Sequence, residues 1–263
     1  MKNNNIFIKK MMGEFLGCFF LGSVGLATIY QGIVYGGATI AEIGIMFGLC
    51  IMFAIVVAAP LSGAVLNPAI TFAQAVFKKL PWREVVPYII AQVAGWGLGC
   101  LLLVAMTNNS LLIWEASIKA VRGTASDVYS AQIFLCNMPN MLMAKGIGAG
   151  LNSKLMSWPV WACIVNEIIC SLLLTLGVLI FTDGRNRMRP QLKSFPLWLG
   201  LVIALGIGSL LAGSSACMNP ARDFGPRLAL SIFGWHSAFP GLGWGLGDEL
   251  NELLDGKNEL IEE

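Results

Sequence analysis

The sequence predicts an all-α membrane protein. Five full spans, two re-entrant half-helices in an inverted repeat and an acidic C-terminal tail make up the expected bundle. Three observations carry this. The 263-residue chain is 56% hydrophobic and only 12% charged, with a mean hydropathy of +0.72, far from a soluble domain. Five stretches match the ~20 apolar residues that a spanning helix needs. The tripeptide Asn-Pro-Ala occurs twice, at Asn67-Pro68-Ala69 and Asn219-Pro220-Ala221, each time closing an apolar segment.

The five spans are read as Met11–Tyr30, Ala41–Leu61, Val85–Met106, Val160–Thr182 and Pro196–Gly213. The first is too long and Gly-rich for a cleaved signal peptide and is expected to be retained. Two shorter apolar runs, Asn67–Phe77 and Asn219–Phe233, are each about half a membrane thick. Basic residues then orient the spans. Lys2, Lys9 and Lys10 precede the first; Lys78, Lys79 and Arg83 follow the first short run; Arg185, Arg187, Arg189 and Lys193 join the fourth and fifth. If the Asn67 run re-enters, all three groups share one face, which the positive-inside rule makes cytoplasmic together with the N-terminus. If it crossed, the bias would collapse. The net charge of +2 therefore carries no nucleic-acid meaning, because the basic residues are juxtamembrane.

The remaining composition excludes more than it proposes. Seven cysteines, an odd number without CxxC spacing, argue against a disulfide or metal framework. Cys18, Cys50, Cys100, Cys163 and Cys170 lie inside apolar spans as small hydrophobes. One histidine, His236, leaves almost no material for His-based catalysis or metal binding. No enzyme, cofactor or metal site is expected.

The doubled tripeptide is tied to a larger repeat. Glu14 precedes Asn67 by 53 positions and Glu167 precedes Asn219 by 52, each early in a hydrophobic run. Broken, Pro-interrupted segments at matching places in two halves point to a membrane pathway at the repeat interface. Non-helical backbone at that depth is tolerated only where it lines a wet cavity. Asn is a good N-cap and Pro suits the first helical turn. Two half-helices entering from opposite faces would bring their positive ends together at mid-membrane. The Asn amides would then donate to a permeant oxygen. The backbone of Gly63, Ala64 and Val65, and of Cys217 and Met218, would offer carbonyls along the path. Such a conduit suits a small neutral solute and is hostile to cations at its centre. One Asn-Pro-Ala alone would read as an ordinary helix start; two in register within a repeat reverse that reading. Ionisable residues inside spans face the protein interior, and Glu14 and Glu167 are expected to support the broken segments by accepting from their amides.

Taken together, Ser-Gly-Ala-x-x-Asn-Pro-Ala-x-Thr and Met-Asn-Pro-Ala-Arg resemble the major intrinsic protein family, the aquaporins and glycerol facilitators, over about Met11 to Phe233. The resemblance implies an aquaporin-like right-handed bundle, one pore per protomer, a homotetramer, and a location in the cell membrane. It implies that Arg222 is the constriction arginine, whose alternative is a headgroup-snorkelling side chain. Asp223 and Arg227 look like the acidic and basic pair of the glycerol facilitator branch. By spacing from the motifs, the other constriction positions would be Phe47, Ile207 and Ala216. Strict water channels carry a His at the position of Ile207, and facilitators carry a second aromatic at that of Ala216. Glycerol is the first solute expected, with water, urea, ammonia and small polyols as further candidates.

The expected organisation is a channel domain over 1–233, with repeat one at 11–106, an outer loop at 107–157 and repeat two at 158–233. A Gly-rich lead-out and acidic tail fill 234–263. No apolar run of spanning length follows Gly234–Gly241, and Asp248–Glu263 holds 7 of the 15 acidic residues. Compared with the family pattern a sixth span is missing. Truncation or a frame shift, a neighbouring subunit closing the gap, and an unforeseen packing of the tail are the three explanations, the first preferred. Two further readings remain open beside the channel. One is a non-conducting or regulatory protein that keeps the scaffold. The other is a coupled transporter, for which Glu14, Glu42 and Glu167 are the only intramembrane acids.

Overall fold

The computed structural model describes residues 2–36, 38–137, 159–191, 193–210, 215 and 217–239. The first rod is α1 (Lys2–Phe20), a π-helical turn (Leu21–Gly25), α2 (Leu26–Tyr30) and a second π segment (Gln31–Tyr35). It is followed by α3 (Ile40–Ser62), the short α4 (Pro68–Val76), the long α5 (Trp82–Ser117) and a single turn, α6 (Val128–Ala131). The second half contributes α7 (Val160–Thr182), α8 (Phe195–Leu210) and α9 (Pro220–Ile232). All regular structure among the described residues is helical.

Four helices are long and apolar enough to cross a membrane: Asn5–Tyr35, Ile40–Ser62, Trp82–Ser117 and Val160–Thr182. They match the first four expected spans. The expected fifth, Pro196–Gly213, corresponds to the shorter apolar α8, and residues 211–214 lie outside the described residues. Two boundaries move. Helix α5 does not stop at Met106 but runs 36 residues to Ser117, so the outer connection starts there and not at Thr107. Its sequence from Thr107 is more polar, but Thr107 and Ser110 hydroxyls bond back to Leu103 and Thr107 carbonyls at 2.8 and 3.0 Å, which keeps the helix intact. The first rod likewise extends past Tyr30 to Tyr35, where the Tyr30 and Ser110 hydroxyls meet at 2.7 Å. The acidic tail beyond residue 239 is outside the described residues.

Helix starts follow their caps. Thr39 and Glu42 form a reciprocal capping box on α3, the Glu42 N–H donating to Thr39 Oγ1 and the Thr39 N–H to Glu42 Oε2 (2.7 Å). Asn67 and Asn219 cap α4 and α9, each followed by Pro at the first position.

Packing repeats across the two halves. Helix α1 lies against α5 and α3, α3 against α8, and α9 against α5. Glycines set the closest approaches, as bilayer interiors favour. A Cβ on Gly95 would sit 2.5 Å from the Phe15 carbonyl oxygen, and one on Gly48 2.5 Å from that of Gly200. The halves are not equally enclosed. The spanning window of α7 is 22% buried, against 44% for its counterpart Asn5–Tyr35, because α7 leans chiefly on α8 whereas α1 has both α3 and α5.

The basic groups meet at one end of the bundle. Lys10 at the start of the first rod pairs with both Glu84 oxygens (2.9 and 2.8 Å) at the start of α5. Lys79 donates to Thr182 at the end of α7 (3.0 Å), beside the exposed Asp183–Arg185 pair.

The glycine contacts lead to a stability prediction. Gly95→Ala and Gly48→Ala each press a methyl into backbone that cannot swing aside and should cost about 1–3 kcal/mol. A lowered unfolding midpoint in detergent reads this out. Gly177→Ala, whose nearest atom lies 3.8 Å away, should leave the midpoint in place.

Candidate functional site

The site is built on two segments that stop being helical inside the bundle. In the first, α3 ends with Gly63 in the left-handed region (φ 87°), followed by Ala64 and Leu66 at φ 55°. In the second, Met218 has φ 51°. A left-handed Leu or Met is strained, and both stand immediately before an Asn-Pro-Ala. Their peptide groups are consequently turned, with amides toward one partner and carbonyls toward another.

The amides are taken by the two buried glutamates. Glu14, fully buried on α1, accepts from the N–H groups of Val65 (2.9 Å) and Leu66 (2.7 Å). Glu167 on α7 accepts from Cys217 (2.9 Å) and Met218 (3.1 Å) in the same manner. Glu14 also takes a bond from Gln92 Nε2 (2.7 Å), which in turn donates to Thr71 Oγ1 (3.0 Å) on α4. Gln92 and Thr71 were not among the expected site residues. A glutamine in the middle of an apolar span carries the same signal as a glutamate there, though a weaker one.

The carbonyls are taken crosswise. Asn67 Nδ2 donates to the Met218 carbonyl (2.7 Å), and Asn219 Nδ2 donates to the Leu66 carbonyl (2.9 Å). Each Asn Oδ1 accepts from its own helix, from Ala69 N–H (2.9 Å) or Ala221 N–H (3.0 Å). The caps fix which amide atom is oxygen. Each amide carries two N–H donors, so after the crosswise bond each Asn keeps one. Pro68 and Pro220 start helices that touch end to end near this crossing, with Ala221 fully buried. Among the described residues no donor reaches the carbonyls of Gly63, Ala64, Val65 or Cys217. The Met218 carbonyl, expected to line the path, accepts from Asn67 Nδ2.

Arg222 follows directly and is 6% exposed. Its guanidinium donates to the Phe134 carbonyl, on a loop whose individual residues the sequence did not single out. Asp223 accepts from the Cys136 N–H (2.8 Å) and from Arg227 Nε (2.7 Å). Arg227 also donates to the Ala238 carbonyl (2.9 Å) and to Asn137 Oδ1 (3.0 Å). The Asp223–Arg227 pair thus bolts α9 to Cys136 and Asn137 and to the segment that follows α9. Asp127, fully buried, accepts from His236 and Ser237 N–H groups (2.6 and 3.1 Å). Arg122 stacks 3.8 Å over Trp235 while paired with Glu115. Phe47 is buried on α3. Ala216 and the Ile207 side chain lie outside what the structure describes, so two of the four expected constriction positions are not placed. Among the described residues no group of three His, Cys, Asp or Glu side chains gathers as a metal site.

Two glutamate-braced loops joined by a crosswise Asn pair make up the centre. The model of the family described as Major intrinsic protein matches residues 1–239. The chain belongs to the major intrinsic protein family. Among curated members, it is 32% identical over 226 residues to the propanediol uptake facilitator of Citrobacter freundii, covering 85% of this chain and 77% of that protein. It is 32% identical to the glycerol uptake facilitator protein of Haemophilus influenzae, with 85% and 79% covered. The Escherichia coli K12 glycerol uptake facilitator protein is 33% identical over 233 residues, with 88% and 76% covered. The X-ray structure of the aquaglyceroporin from Plasmodium falciparum superposes with a TM-score of 0.68 at 22% identity, covering 90% of this chain and 87% of that one. That likeness shows the fold, an aquaporin-like membrane bundle. As in the rest of this family, the apolar helices are integral to the membrane.

Glu14 gives the site its testable energetics. Glu14→Gln removes the charge and one acceptor oxygen, leaving a buried amide of Val65 or Leu66 facing a donor. The loss should be about 1.5–3 kcal/mol, measured by denaturation in detergent, and Glu167→Gln should behave alike. Asp183→Asn, at an exposed pair, should not change stability.

Proposed function

We propose that the chain is a passive channel through which glycerol and other small neutral solutes diffuse across the membrane. Propanediol, water, urea and ammonia are further candidates. The observation that carries this reading is the crosswise Asn67–Asn219 arrangement, which leaves one amide N–H on each residue for a passing oxygen. A solute hydroxyl accepts there and donates to the unengaged carbonyls of Gly63, Ala64, Val65 and Cys217. Its carbon side runs against Phe47, with Arg222 as the polar side of the constriction; Ile207 and Ala216 are the other constriction positions expected from the sequence. The Arg222 charge and the two helix N-termini repel cations. The relatives named for glycerol and propanediol uptake support this solute class.

Transport here is not catalysis, and it is not coupled. Glu14 and Glu167 hold backbone amides, and Glu42 is engaged by Thr39 in its capping box. None is left to cycle a charge, which disfavours the coupled-transporter reading. The gathering of Lys10, Lys79 and Arg185 at one end supports a cytoplasmic N-terminus. We place the protein in the cell membrane as a homotetramer with one pore per protomer. The channel domain covers 1–233, its repeats meeting at the Asn pair.

Liposomes bearing the purified chain should equilibrate glycerol faster than empty ones without any proton or sodium gradient, while sorbitol is excluded. Asn67→Ala and Asn219→Ala should each slow glycerol about tenfold, one lost hydrogen bond at the barrier. Flux equal to empty liposomes overturns the channel reading in favour of a non-conducting scaffold, and a gradient-dependent flux overturns it in favour of coupled transport.

A further inference from the structure

Where α7 ends and the chain turns back into α8, a cavity of about 680 Å³ opens at the end of the bundle that carries Lys79. It falls in the size range of small-ligand sites, and neither the Asn pair nor Arg222 contributes to it. Phe181 and Thr182 at the end of α7, Phe195 at the start of α8, and Arg187, Arg189 and Gln191 between them line the space.

The turn leaves its two cavity arginines uncompensated. Asp183 is the single acid between α7 and α8, and it is spent on Arg185. Arg185 Nε lies 3.1 and 3.2 Å from the two Asp183 oxygens, and Nη2 lies 2.8 Å from Oδ2. Asn186 closes the next turn. Its Nδ2 donates to the Ile180 carbonyl (3.1 Å), its Oδ1 accepts from the Met188 N–H (2.9 Å), and its carbonyl accepts from the Arg189 N–H (3.2 Å). Arg187 is thereby held within a closed turn and Arg189 at its end. A Cβ on Gly184 would lie 3.4 Å from Arg189 Nη1, so that guanidinium folds back over the start of the turn. Among the described residues no carboxylate pairs with Arg187 or Arg189. Lys79 adds a cation at the rim, its Nζ 3.0 Å from Thr182 Oγ1. The positive end of α8 begins here too, at Phe195.

The cavity is also apolar. The Phe181 and Phe195 rings meet edge to face, 6.5 Å between centroids. Beyond them Ile180 on α7 and Leu197 and Leu201 on α8 are exposed, so apolar surface continues from the cavity along both helices. Met188, between the two arginines in sequence, is 90% exposed. A free phosphate needs only the cations. A phospholipid uses both parts, its phosphate on the guanidinium forks and its carbon chains on the apolar surface.

We propose that this cavity binds an anionic phospholipid, with the phosphate headgroup among Arg187, Arg189 and Lys79 and the acyl chains leaving past Phe181 and Phe195 along α7 and α8. Basic pockets between spanning helices take negatively charged headgroups in this way. A zwitterionic lipid brings its own ammonium and gains less from the same cations. The site stands apart from the channel reading, since none of its residues belongs to the solute path.

The test is lipid binding to the purified full chain in detergent, read by native mass spectrometry with dioleoyl phosphatidylglycerol and dioleoyl phosphatidylcholine. Phosphatidylglycerol should bind the more tightly. Arg187→Gln combined with Arg189→Gln should weaken it about tenfold, to the level of phosphatidylcholine. A charge-matched pair, Lys9→Gln with Lys193→Gln, replaces exposed residues outside the cavity and should bind as wild type does. Phosphatidylglycerol should raise the unfolding midpoint of the wild type and the lysine variant, and leave that of the arginine variant unchanged. An arginine variant with wild-type affinity overturns the proposal. A lysine variant that loses as much overturns it too, because the attraction is then diffuse charge. Displacement of the lipid from wild-type protein by equal concentrations of inorganic phosphate or glycerol phosphate overturns the lipid as occupant in favour of a soluble phosphate.

Discussion

Backbone that leaves helical geometry inside a bilayer must find a partner for each polar group, and the rest of this structure is arranged around meeting that demand. The two broken segments expose amides and carbonyls at mid-bundle, where an unsatisfied group costs several kcal/mol. Glu14 and Glu167 take the amides of both segments, two each. A carboxylate accepting from N–H groups is among the stronger hydrogen-bonding arrangements, at about 1.5–3 kcal/mol per bond. Glu14 reaches further, because Gln92 links it to Thr71 and through it to α4. One side chain on the first helix therefore positions the first loop, the first half-helix and α5 together.

The same bonds hold the strained backbone. Left-handed Leu66 and Met218 each cost of order 1–3 kcal/mol, and the carboxylate bonds offset this. The strain is what aims the Leu66 and Met218 carbonyls at the opposite Asn. Turned to an ordinary extended conformation, either residue would break the crosswise pair. Each Asn side chain consequently serves its own helix through Oδ1 and the other loop through one N–H, which leaves the second N–H for the proposed solute path.

The end of the bundle away from Lys10 and Lys79 is held differently, by ion pairs and buried carboxylates between loops rather than by a repeated motif. Asp127 gathers the turn after α9, Asp223 and Arg227 tie α9 to segment 134–137, and Arg122 lies flat on Trp235. Arg222 is thereby fixed from outside the half-helix that carries it. Its guanidinium, unlike a snorkelling side chain, is committed to a carbonyl of the neighbouring loop.

The local pattern of the sequence was enough for the first four spans, the half-helices and the spacing of Glu14 and Glu167 from their Asn-Pro-Ala segments. Apolar length, Pro after Asn and the spacing of Glu14 and Glu167 are all readable along one chain, since hydropathy and capping act over a few residues. The end of α5 was not readable, because polar Thr107 and Ser110 look like loop residues until their hydroxyls are seen bonding within the helix. Gln92, Asp127 and Phe134 were passed over for a related reason: their partners lie far away in sequence. Tertiary structure alone decided that Asn67 and Asn219 bond to each other's loops, that the Met218 carbonyl accepts from Asn67, and that Arg222 reaches the Phe134 carbonyl. Such contacts depend on how two halves close around a common centre, and no local rule specifies them. The doubled Asn-Pro-Ala established by itself that two half-helices would be capped alike; only the folded bundle determined what the free side of each cap would face.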